Sequence, residues 1–394
     1  MKLLQVIRSV HPAGGGPVEN IKQLAAALTK MGHQTESLTL DASGTPWVRE
    51  FPVRVHAVGP GKGIYGYTSK LVPWLKTHAG EYDAVILRGI WQYHSFGCWR
   101  ALRNSDTPYF VFTHGMLDPW FKRVDRWKHS KKWLYWPWAE YRVLRDAKAV
   151  LFTCDEERML ARQSFWLYRC RERVVNYGTS APREAAEAQK EAFLARHPHL
   201  RDKRVALFLG RIHAKKGCDL LIDAYAEVLR KEPEWHLVIA GPDQDDLKAK
   251  LMVRASEKRL HGSVTWTGMI SGDVKYGALR AAEVFVLPSH QENFGIAVAE
   301  ALACGTPVLI TKKLNIWREV EQDRAGLVAD DTLEGICSLL RTWLALPSNQ
   351  KESMRVHARE CFLDRFEISK SAESVVATIS PFIETVPAAL PVTA

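Results

Sequence analysis

Apolar runs of strand length alternate with segments of helical periodicity along this whole chain. The apolar runs are Leu3–Ile7, Ala84–Leu87, Tyr109–Phe112, Ala149–Phe152, Val205–Leu209, His236–Ala240, Val264–Trp266, Val284–Leu287 and Val308–Ile310. Strands that are apolar throughout are buried on both faces, and helices between them connect parallel neighbours. The sequence therefore predicts an α/β fold with parallel sheets covered by helices on both sides.

The length of 394 residues is enough for two such domains, each with its own core. The change from the first half to the second lies near 175–201. The charged, Ala-rich segment Glu184–Arg196 lies within this stretch. We expect two Rossmann-like, doubly wound domains, covering residues 1–178 and 179–367. A last helix is predicted at 368–386, and the tail 387–394 is expected to be frayed.

Composition narrows the class of protein. The chain is 46% apolar and 25% charged, which is typical of soluble proteins, and no stretch has the length of a membrane span. The N-terminal segment is too short for a signal-peptide core and is predicted to be the first strand. The 7 cysteines are scattered, which argues against disulfide or metal frameworks and fits the cytosol. A net charge of +10 favours anionic partners.

Two carboxylates, Glu292 and Glu300, flank a predicted turn from strand to helix. Gly295 opens the predicted helix, whose first N–H groups favour a phosphate. Eight helical positions span roughly 12 Å at most, near the length of a diphosphate with a sugar on either side. Carboxylates also accept hydrogen bonds from sugar hydroxyls. Two solvated surface glutamates are the plain alternative, but Phe294-Gly295 between them and Gly305-Thr306-Pro307 after them favour a ligand site.

With these residues the chain resembles the retaining glycosyltransferases of family four, and the resemblance extends over nearly its whole length. That family has the GT-B fold, in which two Rossmann-like domains face an interdomain cleft. The resemblance implies that Glu292 contacts the donor hexose and Glu300 the ribose of the nucleotide, with Asn293, Phe294 and Gly295 beside the donor. It also implies that the last helix packs back on the first, acceptor-side domain, while the second domain binds the nucleotide sugar.

A basic loop follows the first strand of the second half. Arg211 offers a planar fork for diphosphate oxygens, and Lys216 offers a point charge nearby. Most basic loop residues are simply solvated. The spacing Gly-Arg-x-x-x-x-Lys-Gly, however, is the pattern that the resembled family uses for the diphosphate, and Lys216, directly before Gly217, is the lysine that matches.

A glycine run, Gly14-Gly15-Gly16, lies between the first strand and the first helix. Glycines let a backbone approach a ligand, and a helix N-terminus favours an anion. A tight turn without a ligand would use the same residues, and the run departs from the dinucleotide pattern Gly-x-Gly-x-x-Gly. The resemblance makes Gly15 and Gly16 face the phosphates or sugar of the donor.

His114 follows another predicted strand, in the segment Thr113-His-Gly-Met-Leu-Asp-Pro-Trp120. A lone histidine at a strand end is often structural. Bacterial exopolysaccharide glycosyltransferases carry a similar segment, which implies that His114 lies beside the transferred sugar. Asp118 and Trp120 are candidates for acceptor contacts, and Asp118 is equally well explained as a turn residue.

Two further segments follow strands of the second half. Gly268 and Met269, after the strand Val264–Trp266, are candidates for contact with the nucleotide base, since the resembled family reads the base at this place. Asp243 and Asp245 form an Asp-x-Asp pattern, but acidic residues before a helix are usually caps. GT-B enzymes use cationic side chains in place of a metal, so neither a metal nor another cofactor is predicted.

The segment from Trp120 to Lys148 is dense in aromatic and basic residues. They are Trp127, Lys128, Lys131, Lys132, Trp133, Tyr135, Trp136, Trp138, Tyr141 and Arg142. Such a helix suits an anionic membrane surface, and it equally suits a core-packed helix with solvated lysines. No recognised nucleic-acid module surrounds it, so nucleic acid is not expected as a partner.

Together these expectations describe a cytoplasmic, metal-independent retaining hexosyltransferase, and peripheral contact with the inner face of the cell membrane is one of the two alternatives for segment 120–148. The enzyme would act on a UDP-, GDP- or ADP-linked donor and on a saccharide acceptor, free or lipid-linked, in exopolysaccharide or lipopolysaccharide assembly. A nucleotide-sugar epimerase of the same fold and a non-catalytic nucleotide-binding protein are the alternatives. The choice of nucleotide base, of donor sugar and of the glycosidic linkage depends on the shape of the binding pocket.

Overall fold

The computed structural model describes residues 1–120, 122, 126–244 and 246–383, with the backbone alone described at 126–129. The chain divides into two compact units. The first unit is Met1–Tyr177 together with the segment that begins at Ile368, and the second unit is Gly178–Glu367. The division lies one residue from the predicted one. The predicted tail 387–394 and the last three residues of the predicted helix 368–386 lie outside the described residues.

The described part of the first unit contains one seven-stranded sheet in the order β3-β2-β1-β4-β5-β6-β7. Its strands are β1 (Lys2–Ile7), β2 (Gln34–Thr39), β3 (Val55–Ala57), β4 (Ala84–Arg88), β5 (Tyr109–Phe112), β6 (Ala149–Phe152) and β7 (Glu172–Val174). All neighbours are parallel, with Leu3 opposite Ala84 and Arg88 opposite Phe112. The central strands are buried on both faces, as their apolar sequences predict.

Helices cover this sheet. They are α1 (Gly16–Lys30), α2 (Pro46–Arg49), α3 (Leu71–His78), α4 (Tyr93–Leu102), α5 (Arg126–Tyr135), α6 (Glu140–Asp146) and α7 (Asp155–Ala161), followed at the end of the chain by α16 (Ile368–Ile379). On α1 the buried stripe includes Ile21, Leu24 and Leu28. The last helix, α16, packs on α1, so the chain returns to the first unit after completing the second.

The described part of the second unit has a six-stranded parallel sheet in the order β10-β9-β8-β11-β12-β13. Its strands are β8 (Arg204–Leu209), β9 (Trp235–Ala240), β10 (Val264–Gly268), β11 (Ala282–Leu287), β12 (Val308–Thr311) and β13 (Gly326–Ala329). Its helices are α8 (Ala186–Arg196), α9 (Cys218–Val228), α10 (Leu247–Glu257), α11 (Gly272–Ala281), α12 (Ile296–Ala303), α13 (Trp317–Gln322), α14 (Leu333–Ala345) and α15 (Ser348–Cys361).

The predicted α/β class and the two parallel-sheet domains are confirmed. Every strand predicted from an apolar run is present, with bounds within two residues of the prediction. The strands that the sequence did not indicate are β2, β3, β7 and β13. β2 and β7 are rich in polar residues, and β3 and β13 are short, so neither pair forms a long apolar run. Within the described ranges, no helix is long and apolar enough to cross a membrane.

Candidate functional site

In the second unit, the strand order reverses between the neighbours β8 and β11. Connections leave these two strands toward opposite sides, which opens a crevice at their carboxyl ends, and open α/β sheets bind ligands at such switch points. The loop 210–217 follows β8, and the loop 288–295 follows β11. Arg211, Lys216 and Glu292, which the sequence singled out, therefore lie on two neighbouring loops.

Backbone contacts hold these two loops together. Gly217 has φ 65°, and a Cβ atom there would lie 2.1 Å from the carbonyl oxygen of Pro288. Only glycine permits this approach. The N–H of His290 donates a hydrogen bond of 2.7 Å to the carbonyl of Lys215. The position of Lys216 relative to Glu292 is thus fixed by backbone packing as well as by charge.

Lys216 and Glu292 form an ion pair, and their side chains are only 16% and 19% exposed. Burial, and then the positive charge of Arg211, lower the pKa of the Lys216 ammonium to about 8. The adjacent Glu292 carboxylate favours the charged ammonium, so we expect Lys216 to be protonated at neutral pH. The pair places a cation and an acceptor of hydroxyl hydrogen bonds side by side.

Arg211 lies at the solvent side of this pair. Its Nη1 donates a hydrogen bond of 2.6 Å to Oε1 of Gln244, a residue that the sequence did not indicate. No described carboxylate lies within ion-pair distance of Arg211. Together with Lys216 it makes the mouth of the crevice electropositive, as an anionic ligand requires.

The turn that carries Glu292 is anchored to the loop after β12. The N–H of Glu292 donates to the carbonyl of Lys313 at 2.9 Å, and the N–H of Asn315 donates to the carbonyl of Glu292 at 3.1 Å. Asn315 Nδ2 also donates to Asn293 Oδ1 at 3.1 Å. Gly295, with φ 71°, then begins α12. This anchoring keeps the N–H groups at the start of α12 next to the ion pair.

Two neighbours of this turn are buried. Phe294 is buried and packs edge-on against Phe366, with ring centroids 5.5 Å apart. The hydroxyl of Ser289 is buried and has no hydrogen-bond partner among the described residues. The sequence did not indicate a role for Ser289, and a small hydroxyl at a strand end carries no signal of one.

Glu300, inside α12, is 8% exposed. Its Oε1 accepts a hydrogen bond of 2.6 Å from Nζ of Lys275 on α11. The two predicted carboxylates thus have different cationic partners, Glu292 with Lys216 and Glu300 with Lys275. Lys275 belongs to no recognisable motif, so sequence reasoning missed it.

Gly268 and Met269 lie at the carboxyl end of β10, an outer strand of the sheet. Gly268 has φ 68°, and its carbonyl accepts the N–H of Gly241 at 2.8 Å. The side chain of Met269 is 77% exposed. Two strands separate this end from β11, so the structure does not bring these residues together with Glu292, and base recognition stays a prediction.

The Asp-x-Asp segment behaves as a cap where it is described. Asp243 accepts hydrogen bonds from the N–H groups of Leu247 (3.0 Å) and Lys248 (3.2 Å) at the start of α10, as predicted. Asp245 lies outside the described residues. Among those described, no group of three His, Cys, Asp or Glu residues could hold a metal ion. Metal-independent chemistry stays a prediction.

In the first unit, His114 follows β5 with φ 48°. Its ring stacks on Phe112 at 5.5 Å and meets Tyr177 edge-on at 5.8 Å. Its Nε2 is buried and has no described partner. Burial, and then the positive charge of Arg88, lower the pKa of His114 to about 3. His114 is therefore a neutral imidazole that can exchange hydrogen bonds but carries no charge at neutral pH.

Glu157 holds the His114 loop in place. This buried carboxylate accepts hydrogen bonds from Thr113 Oγ1 (2.7 Å) and from the N–H of Gly115 (2.6 Å). It also accepts from the N–H (2.8 Å) and Oγ1 (2.7 Å) of Thr153. Four donors converge on one carboxylate, which fixes the residues on both sides of His114. In the sequence, Glu157 is one of three consecutive acidic residues at the start of a helix, so nothing distinguished it from the other two.

Arg88, at the end of β4, is 2% exposed. It donates from Nε to Gln5 Oε1 (2.8 Å) and from Nη1 to Asn20 Oδ1 (3.2 Å), and it lies over the ring of Phe112 at 4.3 Å. No carboxylate in the described ranges pairs with it. Burial lowers its pKa to about 10. A buried guanidinium thus packs on the ring of Phe112, the same ring that stacks on His114, where the sequence indicated only a strand end.

Gly15 and Gly16 lie at the start of α1. Gly15 has φ 65°, and its N–H donates to the carbonyl of Pro12 at 3.1 Å. A side chain on Gly15 would meet no atom within 4 Å, so the backbone there is open on one side. The loop thus presents N–H groups at the carboxyl end of β1, next to β4. Contact with a donor stays a prediction.

Asp118 and Trp120 form a local turn. Asp118 Oδ1 accepts the N–H of Trp120 at 2.7 Å, which agrees with the interpretation of Asp118 as a turn residue. Asp118 borders a cavity of only about 10 Å³, which is too small for a sugar ring. These facts leave acceptor contacts by the two residues as an untested prediction.

The aromatic and basic segment has both a buried and an exposed side. Trp136 is buried and stacks on Phe165 at 4.2 Å, whereas Trp133 and Trp138 are 40% and 70% exposed. Lys132 Nζ lies over the ring of Trp91 at 4.7 Å. The side chains of Trp127 and Lys128 lie outside the described residues. Core packing explains Trp136, and membrane contact by the exposed rings stays a prediction.

Both units of the chain match family models of glycosyltransferases. Residues 189–360 match the family model "Glycosyl transferases group 1", and residues 15–178 match "Glycosyl transferase 4-like domain". D-inositol 3-phosphate glycosyltransferase from Kineococcus radiotolerans is 31% identical over 85% of this chain and 84% of that protein. GDP-mannose:cellobiosyl-diphosphopolyprenol alpha-mannosyltransferase from Xanthomonas campestris is 24% identical over 93% of each chain.

Other relatives match over a smaller part. Mannosylfructose-phosphate synthase from Agrobacterium fabrum is 34% identical, but the match spans 32% of this chain and 29% of that protein. Alpha-D-kanosaminyltransferase from Streptomyces kanamyceticus is 30% identical over 71% of this chain and 64% of that protein. The chain thus spans less than two thirds of the length of these two curated relatives.

Among solved structures, Anabaena HepE has been determined with UDP and with UDP-glucose. It matches 97% of this chain and 100% of its own at 17% identity, with TM-scores of 0.77 and 0.74. This likeness concerns the fold. The two family models, the Kineococcus relative and the two parallel sheets show that the chain belongs to the family-four glycosyltransferases of the GT-B fold.

Proposed function

We propose that this glycosyltransferase moves a hexose from a nucleotide-diphosphate sugar to a saccharide acceptor, with retention of configuration at the anomeric carbon. The observation that carries the proposal is the placement of Arg211 and the Lys216–Glu292 pair on the two loops at the switch point of the second sheet. Two cations suit a diphosphate, and the neighbouring carboxylate suits a sugar hydroxyl. The nucleotide sugars in the names of the Xanthomonas and Anabaena proteins support the same donor class.

In this mechanism the bond between the anomeric carbon and the diphosphate breaks, and negative charge builds on the leaving phosphate. Arg211, Lys216 and the N–H groups at Phe294–Gly295 stabilise that charge more in the transition state than in the ground state. The acceptor oxygen forms the new bond to the anomeric carbon on the same face, and the leaving phosphate takes the proton of that hydroxyl. No side chain is assigned as a covalent nucleophile, and no metal is assigned.

The other donor contacts follow from the same assignment. Glu292 binds a hydroxyl of the hexose, and Glu300, held by Lys275, binds the ribose. From the first unit, we assign Gly15 and Gly16 as phosphate or sugar contacts and His114 as a neutral hydrogen-bond partner of the hexose. A neutral imidazole suits this task, because it both donates and accepts.

The acceptor and the pathway are proposed from one relative and from the exposed aromatic residues of the first unit. The Xanthomonas relative acts on a polyprenol-diphosphate-linked cellobiosyl acceptor, as its name states. This supports a lipid-linked saccharide in exopolysaccharide or lipopolysaccharide assembly. The exposed Trp133 and Trp138, among basic residues, fit a cytoplasmic enzyme in peripheral contact with an anionic membrane. Flotation with anionic liposomes at low salt tests this contact, and protein that stays at the bottom of the gradient refutes it.

The transfer itself is tested with a panel of UDP-, GDP- and ADP-linked glucose and mannose. Thermal shift selects the donor, and release of nucleoside diphosphate measures turnover with and without saccharide acceptors. NMR of the product then gives the anomeric configuration, and an inverted product refutes retention. Epimerised donor formed without acceptor would identify an isomerase instead. Donor binding with neither hydrolysis nor transfer would identify a non-catalytic nucleotide-binding protein.

A further inference from the structure

The second unit contains a cavity of about 350 Å³ at the amino ends of β11 and β12. Of its lining residues, Arg280 lies just before β11 and Gly305 just before β12. Glu292 follows the other end of β11, so the cavity and the crevice described above lie at opposite edges of the sheet. The volume is within the range of about 300–1,000 Å³ that is usual for small-molecule pockets.

Three guanidinium groups line this cavity, those of Arg183, Arg280 and Arg359. Arg280 and Arg359 are half-buried, and no carboxylate in the described ranges lies within ion-pair distance of either. Arg183 is exposed and pairs with Asp273 at 2.6 Å. The exposed Glu184 is the one acidic residue in the described lining, so the cations outnumber it. Such an unbalanced positive charge favours an anionic ligand.

Arg280 is held in place by a chain of hydrogen bonds. Its Nε donates to Oε1 of Gln189 at 2.9 Å, and Nε2 of that buried amide donates to Oδ1 of Asp273 at 3.1 Å. Asp273 in turn accepts the hydrogen bond from Arg183. Neither Nη group of Arg280 makes a hydrogen bond to a residue that the structure describes. Most of the five N–H donors of this oriented guanidinium therefore remain for a ligand.

Arg359, on α15, is anchored in a different way. Its Nη1 donates to the carbonyl of Ala303, the last residue of α12, and its guanidinium lies over the ring of Phe362 at 5.6 Å. A cation near a helix C-terminus stabilises the helix dipole, and Arg280, in the last turn of α11, has the same explanation. Capping accounts for one donor of Arg359 and not for the cavity that the two arginines share.

Two further features of the lining suit an anion. α8 begins at Ala186, and its N-cap residue, Ala185, makes no side-chain hydrogen bond to the first turn. The first N–H groups of α8 thus add a partial positive charge to the cavity wall. Burial raises the pKa of the Cys304 thiol to about 11. This lining residue therefore brings no negative charge at neutral pH.

We propose that this cavity binds the phosphate group of a small phosphomonoester, with the phosphate oxygens held by Arg280, Arg359 and the first N–H groups of α8. A terminal phosphate offers three oxygens and nearly two negative charges, which suits two planar guanidinium forks. The cavity is much larger than a bare phosphate, so an organic remainder of sugar size fits beside it. The site is separate from Arg211 and Lys216, and it does not rest on the proposed function.

Calorimetry in a buffer free of phosphate and sulfate tests the site. The probes are glucose 6-phosphate, glycerol 3-phosphate and inorganic phosphate, with glucose as the uncharged probe. We expect at least one ester to bind at millimolar concentration or below, and glucose not to bind. Arg280→Gln and Arg359→Gln should each weaken the ester at least fivefold. Arg341→Gln, at an exposed arginine of the same unit that does not line the cavity, should leave the ester affinity unchanged.

Ala185→Asp separates a loss of binding from a loss of folding. A carboxylate at an N-cap stabilises a helix start, so this variant should melt no lower than the unmodified protein. It should still weaken the ester at least fivefold, because the new carboxylate competes for the same N–H groups. If thermal melting shows that one arginine variant does not fold, Ala185→Asp and the other arginine variant decide.

No binding of either ester overturns the proposal, and so does glucose binding of equal strength. Ester binding that Arg280→Gln and Arg359→Gln both leave intact also overturns it. Arg211→Gln distinguishes the two anion sites of this unit, since it should leave the ester affinity unchanged. If Arg211→Gln abolishes ester binding and Arg280→Gln does not, the phosphate lies at the donor loops and the assignment to this cavity is wrong.

Discussion

Lys216 and Glu292 form an ion pair that links the loop after β8 to the loop after β11. Both side chains are mostly buried, so each group depends on the other to offset its lost hydration. In the proposed function each member of the pair gains a second partner, because the donor diphosphate approaches the ammonium while a sugar hydroxyl approaches the carboxylate.

Breaking this pair from one side should destabilise the protein. We expect Lys216→Met and Glu292→Gln each to lower the free energy of unfolding by about 1–3 kcal/mol, because one buried partner is left unpaired. The double variant should lose less than the sum of the two. Denaturant unfolding of all four proteins measures this coupling. The surface pair of Arg341 and Glu227 is the control, with an expected coupling of about 0–1 kcal/mol. Strict additivity at Lys216 and Glu292 would show that the pair is not coupled.

Arg211→Ala should lower turnover by a factor on the order of 10²–10³, as for loss of one donor to a developing oxyanion. The measurement is the initial rate of nucleoside diphosphate release at saturating donor. Arg341→Ala, at an exposed arginine of the same unit, should keep the original rate. Near-normal turnover in Arg211→Ala would refute its assignment to the diphosphate.

Glu300→Gln should weaken nucleotide binding by at most a few kcal/mol, the range of a charge-assisted hydrogen bond. It should leave the rate at saturating donor nearly unchanged, because the ribose does not react. Calorimetry with the free nucleoside diphosphate reports the change. Glu283→Gln is a suitable control, since Glu283 also pairs with cations in this unit but lies at the other end of the sheet. Equal affinities for Glu300→Gln and the original protein would contradict the ribose assignment.

Glu157→Gln should slow the transfer without changing nucleotide affinity. The amide cannot accept all four hydrogen bonds that Glu157 now accepts, so the loop that carries His114 should shift. A displacement of about 1 Å can lower a rate by up to about 10²-fold. Comparison of kcat with the calorimetric Kd measures the effect. Glu172→Gln is the control for a general loss of stability. It removes a carboxylate on β7 that accepts a hydrogen bond from Arg162. An equal loss of rate in both variants would mean that Glu157 acts only through stability.

His114 should make the protein less stable in mild acid. Its pKa is lowered to about 3 in the folded state, against about 6.5 when unfolded. Between these values the unfolded chain binds the extra proton, so stability is full above about pH 6.5 and falls as the pH drops. The expected contribution between pH 7 and pH 5 is about 2 kcal/mol. His114→Gln should reduce the difference between the unfolding free energies at these two pH values by that amount. An unchanged difference would refute a buried, neutral His114.

Some parts of the site were predictable because they depend on neighbours in sequence. Arg211, Lys216 and Gly217 belong to one loop, and Gly295 directly opens a helix, so their places at strand ends indicated an anion site, which the resemblance to the family's pattern supported. Asp243 was recognised as a cap for the same reason. Glu157, Lys275 and Arg88 were missed, because their roles arise from residues that are distant in sequence.

The fold shows the same division. Buried parallel strands must be apolar on both faces, which made the central strands of both sheets visible as continuous runs. No such signal came from the edge strands β3 and β7 or from the polar strand β2. Hydrogen bonds to a neighbouring strand stabilise these strands more than burial of their own side chains does.

The sequence by itself determined the α/β class, the two domains and the glycine, arginine, lysine and glutamate positions at strand ends, because these follow from local periodicity and turn chemistry. Only the tertiary structure decided that Lys216 pairs with Glu292 and Lys275 with Glu300, that Glu157 holds His114, and that Arg183, Arg280 and Arg359 line one cavity. Such contacts depend on strand order and loop packing, which bring together side chains whose separation along the chain carries no information about their distance in space.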